Sequence, residues 1–201
     1  MTKTKVNLVM ASLMVIGLMV AGSSCGGSGK DSAKKVEMDT LRVSGADYIA
    51  SIIYPKGFFT VSDDKEEFIA KNEKGPVLTG KDFSMQAYII YNPYNDIAEW
   101  KKASIDQYTY IADIKGDGIE GFYRRPYDNK IMCLYDINAG VGKGNVVVVI
   151  LVPNEQKNPT IEELNNSTCK HEFRVRCDKM MESQELHDIL KTLKVEKIKK
   201  K

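Results

Sequence analysis

The sequence predicts an α+β fold, a layered sandwich in which helices cover an antiparallel sheet. Short apolar runs of strand length alternate with polar turn-like segments, and two stretches have the apolar spacing of amphipathic helices. A third observation is the segment NVVVVILV at residues 145–152, which has no polar side. Such a strand is expected at the centre of a sheet, with both of its faces covered.

Strand-like runs are predicted in six segments, and the connections between them indicate their direction. Short turns such as YDNK and GVGKGN join neighbouring runs, so these strands are expected to pair antiparallel. The predicted strands are Phe58–Ser62, Glu67–Ala70, Phe83–Tyr91, Ile119–Tyr127, Lys130–Ile137 and Asn145–Val152.

The segment NDIAEWKKASIDQY predicts the first helix. Asn95 or Asp96 can cap its N-terminus, and Asp96 and Glu99 have the spacing of a capping box. Four apolar residues fall near one face of this helix, which is expected to pack on the sheet. They are Ile97, Trp100, Ile105 and Tyr108.

The segment SQELHDILKTLK predicts a second helix near the end of the chain. Ser183 can cap its N-terminus. Its apolar residues follow the i, i+3, i+4, i+7 spacing of a single helix face, which is expected to lie against the other side of the sheet. They are Leu186, Ile189, Leu190 and Leu193.

An apolar stretch with basic residues before it opens the chain. Lys3 and Lys5 precede the run Leu8–Ala21, and small residues then lead to Cys25. This order is typical of a secretory signal peptide. The run has about fourteen residues. Because a transmembrane helix needs roughly 20, cleavage is the favoured interpretation.

Small residues that end at a cysteine resemble the lipobox of bacterial lipoproteins, in the lax form associated with Bacteroidota, because Gly22 stands where Leu is usual. The resemblance implies that Cys25 is acylated and becomes the new N-terminus after removal of residues 1–24. Two or three acyl chains make such an anchor stable. The alternative is ordinary cleavage near Gly22 or Ser23, which would leave Cys25 as a plain thiol.

Polar, glycine-rich residues follow the cysteine, so residues 25–40 are expected to tether the lipid to a single domain of residues 41–201. Two motifs in the tether, Asp-Ser-Ala at Ser32 and Asp-Thr-Leu at Thr40, resemble the O-glycosylation acceptor of periplasmic Bacteroidota proteins. Gly26 argues against retention in the inner membrane by the rule known from other bacteria. The predicted location is therefore the cell envelope, at the outer membrane.

The charges of the mature chain are balanced. The whole chain has 29 basic and 27 acidic residues, and removal of a signal that contains two lysines and no acid leaves 27 of each. A broadly basic field of the kind that binds nucleic acid is therefore not expected. Only the C-terminal KVEKIKKK is strongly basic, and a solvated chain end is favoured over a contact with phosphate or anionic headgroups.

Three cysteines remain in the body of the chain, and an oxidising compartment favours a disulfide bond between two of them. Cys169 and Cys177 are the predicted pair. This pairing needs a bend, because a straight strand would separate their Cα atoms by about 26 Å. A bridge from Cys133 is the alternative, although its alternation with Ile131 and Tyr135 indicates a buried free thiol.

Patterns for catalysis and metal binding are weak. His187 lies beside an apolar helix face and is expected at the surface, and His171 in CKHEFRVRC has no fourth ligand at zinc-site spacing. The segment DIKGDGIE begins like a calcium loop, but Lys115 and Arg124 replace two of the ligands. The sequence contains no nucleophile-elbow, Walker or dinucleotide motif. No catalytic residue, metal or cofactor is predicted.

Tyrosine is the remaining feature of the composition. The chain has ten tyrosines and one tryptophan, enough to form a stacking face for a sugar. Tyr91 and Tyr94 flank Pro93 at a strand end and are the best candidates for exposed ligand-binding residues. The alternative is that the aromatic residues pack in the sheet and helix core.

Several segments occur in the order seen in PsbP-like domains. They are YIASIIYPKGF at residues 48–58, the mid-chain helix, IKGDGIEGFYRR, the apolar strand and LHDILKTLK. The body, over about residues 45–195, therefore resembles this family. The resemblance implies an α/β/α sandwich used for docking, with no shared active site. Residues 154–182 are longer and more polar than the family's usual link into the last helix.

Two functional classes follow from these patterns. The favoured one is a membrane-anchored, non-catalytic lipoprotein whose domain binds another envelope protein or helps to assemble an envelope complex. The alternative is a lipoprotein that binds a glycan or small molecule through exposed aromatic residues. A deep pocket lined by Tyr and Trp would favour the alternative, and a flat apolar or charged surface would favour the protein-binding class.

Overall fold

Two antiparallel sheets and several helices make up the fold of this computed structural model, which describes residues 36–62, 75–115, 119–137, 143–155 and 159–199. These residues belong to one compact unit that runs from Lys35 to Lys201. The strands are β1 (Met38–Ser44), β2 (Tyr48–Pro55), β3 (Thr60–Ser62), β4 (Val77–Thr79), β5 (Phe83–Asp96), β6 (Tyr110–Lys115), β7 (Glu120–Tyr127), β8 (Lys130–Asp136), β9 (Lys143–Pro153) and β10 (Lys194–Lys197). The described helices are α1 (Ile97–Asp106), α2 (Ile161–Asn165), α3 (Ser167–Met181) and α4 (Gln184–Lys191).

The large sheet has seven strands in the order β3-β4-β5-β9-β8-β7-β6, and the small sheet has three in the order β1-β2-β10. Every pairing in both sheets is antiparallel. The predicted α+β class and the antiparallel pairing across YDNK and GVGKGN are therefore confirmed. The predicted strand at Glu67–Ala70 lies outside the described residues.

Strand β9 lies near the middle of the large sheet, between β5 and β8, as its apolar sequence predicts. Val147, Val149 and Leu151 point into one hydrophobic core, and Val146, Val148, Ile150 and Val152 point into another. Burial of each such side chain contributes about 1.5–3 kcal/mol. The strand is therefore stable only where both faces of the sheet are covered.

The small sheet and the last helices cover the first face. Strands β1 and β2 contribute Leu41 and Ile52 to that core, and α3 contributes Cys177. The predicted second helix is α4, and its apolar face packs here as expected. Its N-terminus is capped by Ser183, whose side chain accepts a hydrogen bond from the backbone of Leu186, as predicted.

Helix α1 packs on the second face. Asp96 caps it by accepting a hydrogen bond from the backbone of Glu99, and Ile97 and Trp100 pack on the core. The expectation that Ile105 and Tyr108 share this buried face is wrong: both are exposed. The helix ends at Asp106, and the small Ser104 takes the buried position in its last turn.

The small sheet was not predicted, and it moves the start of the domain. Strand β1 begins at Met38, so the last three residues of the expected tether (25–40) belong to the fold. Met38 pairs with Pro55 and Thr40 pairs with Ile53. The sequence does not predict β1 because its outward side chains are polar or exposed.

The long polar connection at residues 154–182 contains helices α2 and α3. Helix α3 has few apolar residues, and it buries only Phe173, Cys177 and Met180. Asn166 caps it by accepting from the backbone of Thr168 and Cys169. In the described part of the chain, no helix combines the length and apolar character needed to cross a membrane.

A threonine hydroxyl joins α4 to the small sheet. Because Lys194 pairs with Ser51, Thr192 stands opposite Ile53, although its backbone still belongs to the helix end. The Thr192 hydroxyl accepts from the Ile53 N–H at 2.8 Å and lies 3.0 Å from the Ile53 carbonyl oxygen. It therefore takes the place of the backbone groups of one more residue of β10.

Replacement of this hydroxyl tests its contribution. Thr192→Val keeps the shape but leaves the part-buried Ile53 amide without a partner, so the free energy of unfolding should fall by about 1–3 kcal/mol. Thr192→Ser keeps the hydroxyl and should cost less than about 1 kcal/mol. Urea denaturation of the full chain with Cys25→Ser measures both, and equal losses for the two variants would contradict this role.

Candidate functional site

The connection from α1 to β6 ends the helix with a specific set of backbone hydrogen bonds. The amide of Thr109 donates to the carbonyl of Ser104 at 2.8 Å, and the amide of Tyr108 donates to that of Ile105 at 3.0 Å. This pair of bonds defines a Schellman motif. In such a motif the residue at the position of Tyr108 takes a left-handed conformation, which is usually filled by glycine.

Tyr108 has a φ of 56° and is the only non-glycine residue with positive φ in the described part of the chain. Its side chain is 95% exposed, so packing does not compensate for the unfavourable backbone. For a residue with a Cβ atom the left-handed conformation costs roughly 1–2 kcal/mol. Strain of this kind is concentrated at functional positions in proteins.

Two further apolar side chains are exposed at the same connection. Ile105 is 50% exposed in the last turn of α1, and Ile111 is exposed at the start of β6. Ile111 is the extra residue of a β-bulge, because Tyr110 pairs with Arg124 and Ala112 pairs with the next residue, Tyr123. We call residues 105–111 the α1–β6 corner.

The α1–β6 corner lies beside β7, at the edge of the large sheet. The carbonyl of Thr109 accepts a hydrogen bond from the amide of Arg125, which continues the pairing of β6 with β7. Further along β7, Tyr127 is 63% exposed, and the Nζ atom of Lys130 lies 5.3 Å from its ring centre. The exposed Tyr108 and Tyr127 and the cation of Lys130 therefore lie at one end of the sheet.

Arg124 differs from the arginines around it. Phe122 packs in the second core, and because side chains alternate along a strand, Arg124 lies on that same face. It is half-buried, burial lowers the pKa of its guanidinium, and its Nε atom is buried without a hydrogen-bond partner. Among the described residues no carboxylate lies within ion-pair distance of it.

Ion pairs attach α3 to the hairpin formed by β7 and β8. Arg125 pairs with Asp178, and the Nε atom of Arg174 lies 2.5 Å from Asp128. The Cys177 thiol also donates to the Asp128 carbonyl at 3.6 Å. These contacts fix the hairpin that presents Tyr127.

The tyrosines predicted to bind ligand lie near the C-terminal end of β5. Tyr91 is 67% exposed, which confirms the prediction that it is exposed, and its backbone pairs with Asn145. The backbone of Tyr94 belongs to β5, and its side chain lies outside the described set. A binding role for either residue stays a prediction.

The two histidines occupy different environments. His171 is exposed, as part of a shallow depression of about 360 Å³. His187 is partly buried beside the apolar face of α4. Its Nε2 atom lies 2.6 Å from the Met181 carbonyl oxygen and donates to it, which leaves Nδ1 to accept from the Tyr123 hydroxyl at 3.3 Å. Burial raises the pKa of Tyr123, which keeps that hydroxyl protonated.

The predicted disulfide between Cys169 and Cys177 is wrong. Both residues lie on α3, eight positions apart, and both are free thiols. Eight residues of helix separate their Cα atoms by about 12 Å, beyond the roughly 7 Å that a disulfide allows. Cys133 is a fully buried free thiol, as its alternation predicts. Burial raises the pKa of Cys177 to about 12.

The remaining predicted sites divide between the described and undescribed parts of the chain. Cys25 and Ser32 lie outside the described residues. Thr40 is exposed on β1, so its hydroxyl is accessible. Within the described ranges, three or more His, Cys, Asp or Glu side chains do not come together as a metal site.

Two depressions lie on the surface of the described residues, and polar and charged residues line most of each. The first, of about 420 Å³, is lined by Asp47, Tyr48, Asn145, Lys197 and Ile198. The second is the depression that contains His171, together with Asp128, Ser167, Lys170 and Arg174. Neither is the deep Tyr- and Trp-lined pocket that would favour a small ligand.

No family model, curated protein or solved structure matches this chain. The resemblance to PsbP-like domains and to Bacteroidota lipoproteins therefore stays a prediction. The sequence analysis did not find the α1–β6 corner, because Tyr108 fits the apolar spacing of α1. The usual marker of such a helix end is a glycine after the last turn, and no glycine stands there.

The buried thiols should be protected from modification in the folded chain. With Cys25→Ser, the half-buried Cys169 should react with a disulfide reagent at pH 8, while Cys133 and Cys177 react only after unfolding. The reason is that burial raises both of the latter pKa values, so little thiolate is present. Mass spectrometry of labelled peptides measures this, and a Cys169–Cys177 disulfide peptide would contradict the helix.

Substitution of Tyr108 tests the strain. Tyr108→Gly should raise the free energy of unfolding by about 1 kcal/mol, because glycine adopts positive φ without a Cβ clash. Tyr108→Ala keeps the Cβ atom and should leave stability nearly unchanged, since the ring makes little contact. Urea denaturation compares the two variants, and equal effects would show that the left-handed backbone carries no cost.

Proposed function

We propose that this chain is a lipid-anchored protein of the bacterial cell envelope that acts by binding another envelope protein, without catalysis. The apolar leader that ends at Cys25 supports the anchor, with the outer membrane as its location. The body supports a binding role through its exposed aromatic surface.

The observation that carries the proposal is the conformation of Tyr108. A glycine at this position would remove a cost of about 1–2 kcal/mol, yet the position holds a large aromatic side chain that is almost wholly exposed. Tyrosine offers a rigid apolar ring with a polar tip and is enriched where proteins bind one another. The strain is understandable if the ring contacts a partner.

The surroundings favour a protein partner over a small ligand. Ile105 and Ile111 add exposed apolar side chains at the corner, where the chain turns from helix to strand. The two depressions described above are open and lined mainly by polar residues. Exposed Tyr91 is the observation that favours the second candidate, a glycan stacked on an aromatic ring.

Photo-cross-linking in the native host tests the proposal. The full chain carries p-benzoylphenylalanine at position 108, and in a second strain at position 61, where Val61 is exposed on the opposite edge strand of the large sheet. Position 108 should give one discrete cross-linked protein after irradiation. Position 61 should not give that product.

The same strains test the anchor when an alkynyl fatty acid is supplied. Cys25 should carry the label, and Cys25→Ser should lose both the label and most of the cross-link, because the domain no longer concentrates at the membrane. A label that survives Cys25→Ser contradicts the anchor. An equal product from both photo-reactive positions contradicts a binding surface at the corner.

A further inference from the structure

We propose that Arg124 receives an aspartate or glutamate carboxylate from an extended segment of the partner protein, which lies between Tyr108 and Tyr127. This inference rests on the proposed function and adds to it the chemistry of the partner and the residue that recognises it. It follows from a charge that the described fold leaves without a partner.

Burial makes the charge of Arg124 unfavourable. A guanidinium stays protonated in a protein, so its burial cannot be relieved by loss of the proton. A half-buried charge with no acidic neighbour is unfavourable. The Nε atoms of Arg124 and Arg125 are both buried without an acceptor, so it is the missing carboxylate that sets Arg124 apart. The neighbouring Arg125 and Arg174 each have an aspartate partner. Arg124 therefore lacks the aspartate partner that Arg125 and Arg174 have.

The pairing of β6 with β7 relates the two exposed tyrosines to Arg124. Tyr110 pairs with Arg124 across the two strands, and the next residue back along β6, Thr109, bonds to Arg125. The chain direction then carries Tyr108 towards the end of β7, where Tyr127 is exposed. The two exposed rings thus belong to the residue two positions before Tyr110, the pairing partner of Arg124, and to the residue three positions after Arg124 itself.

The side chains around Arg124 indicate the chemistry of the partner segment. A guanidinium presents parallel N–H donors that match the two oxygens of a carboxylate. Tyr and Arg together are the residues that most often dominate protein–protein binding. The exposed Ile105 and Ile111 suit apolar side chains on either side of the acidic residue.

A protein segment fits better than an anionic membrane surface. Asp106 is exposed at the corner. Asp113 is exposed further along β6 and pairs with Lys101, and Asp128 in the adjacent hairpin turn pairs with Arg174. Because the charges near Arg124 are of mixed sign, they offer no continuous basic surface to a layer of anionic headgroups, whereas a single acidic side chain can approach Arg124. The balanced charge of the mature chain also favours a protein segment over an anionic membrane surface.

The experiment uses the full chain with Cys25→Ser and a phage library of random twelve-residue peptides. Selected peptides should share an Asp or Glu beside apolar residues. Arg124→Gln should weaken the affinity of a synthetic selected peptide at least about tenfold, as should Asp→Asn in the peptide, and the two changes together should add little. Tyr108→Ala should also weaken binding. Arg42→Gln, an exposed arginine on β1, should have no effect.

The outcomes separate this inference from the proposed function. Additive losses, selected peptides without an acid, or no enriched peptide would each overturn the role of Arg124. A Tyr108 cross-link in cells would still support the proposed function in those cases. Binding to vesicles with 30% phosphatidylglycerol that depends on Arg124 would overturn the choice of a protein partner. Unchanged thermal unfolding of Arg124→Gln and Arg124→Met shows that a loss of binding is not a loss of fold.

Discussion

The apolar character of β9 on both faces is the constraint on which the rest of this structure depends. A strand with valine, isoleucine and leucine pointing in both directions is stable only inside a sheet with two covers. The two covers are built from different parts of the chain. The first is the small sheet with α3 and α4, and the second includes α1.

The need to cover the second face also explains the α1–β6 corner. Helix α1 lies over the large sheet through Ile97 and Trp100, and the chain must then reverse at once to enter β6 at the sheet edge. The Schellman motif makes this reversal, and it requires a left-handed residue. Folding alone does not favour tyrosine at this position, because glycine adopts the left-handed conformation at lower cost.

The charges near this end of the sheet follow the packing of α3. Because α3 lies on the first face, its aspartate reaches Arg125, and its Arg174 reaches Asp128. Exposed pairs of this kind contribute at most about 1 kcal/mol each. Arg124 points to the opposite face, away from α3, so it does not share in these contacts. Alternation along β7 thus separates a paired arginine from an unpaired one.

The sequence by itself determined the features that depend on local pattern: the central strand, the antiparallel hairpins, the caps at Asp96 and Ser183, the apolar face of α4 and the buried thiol of Cys133. Each is set by side-chain periodicity or by a residue within one turn of chain. Lipid attachment at Cys25 also comes from sequence alone and remains a prediction.

Only the tertiary structure decided the small sheet, the helical state of the segment that holds Cys169 and Cys177, and the α1–β6 corner. Strand β2 pairs with β10 across more than a hundred residues, and α3 is too polar for its buried stripe to stand out. The environment of Arg124 likewise depends on which face of β7 meets α3. Contacts between distant segments, and the charges they bring together or keep apart, are not encoded in any local spacing, because they arise only when the two faces of β9 have been covered.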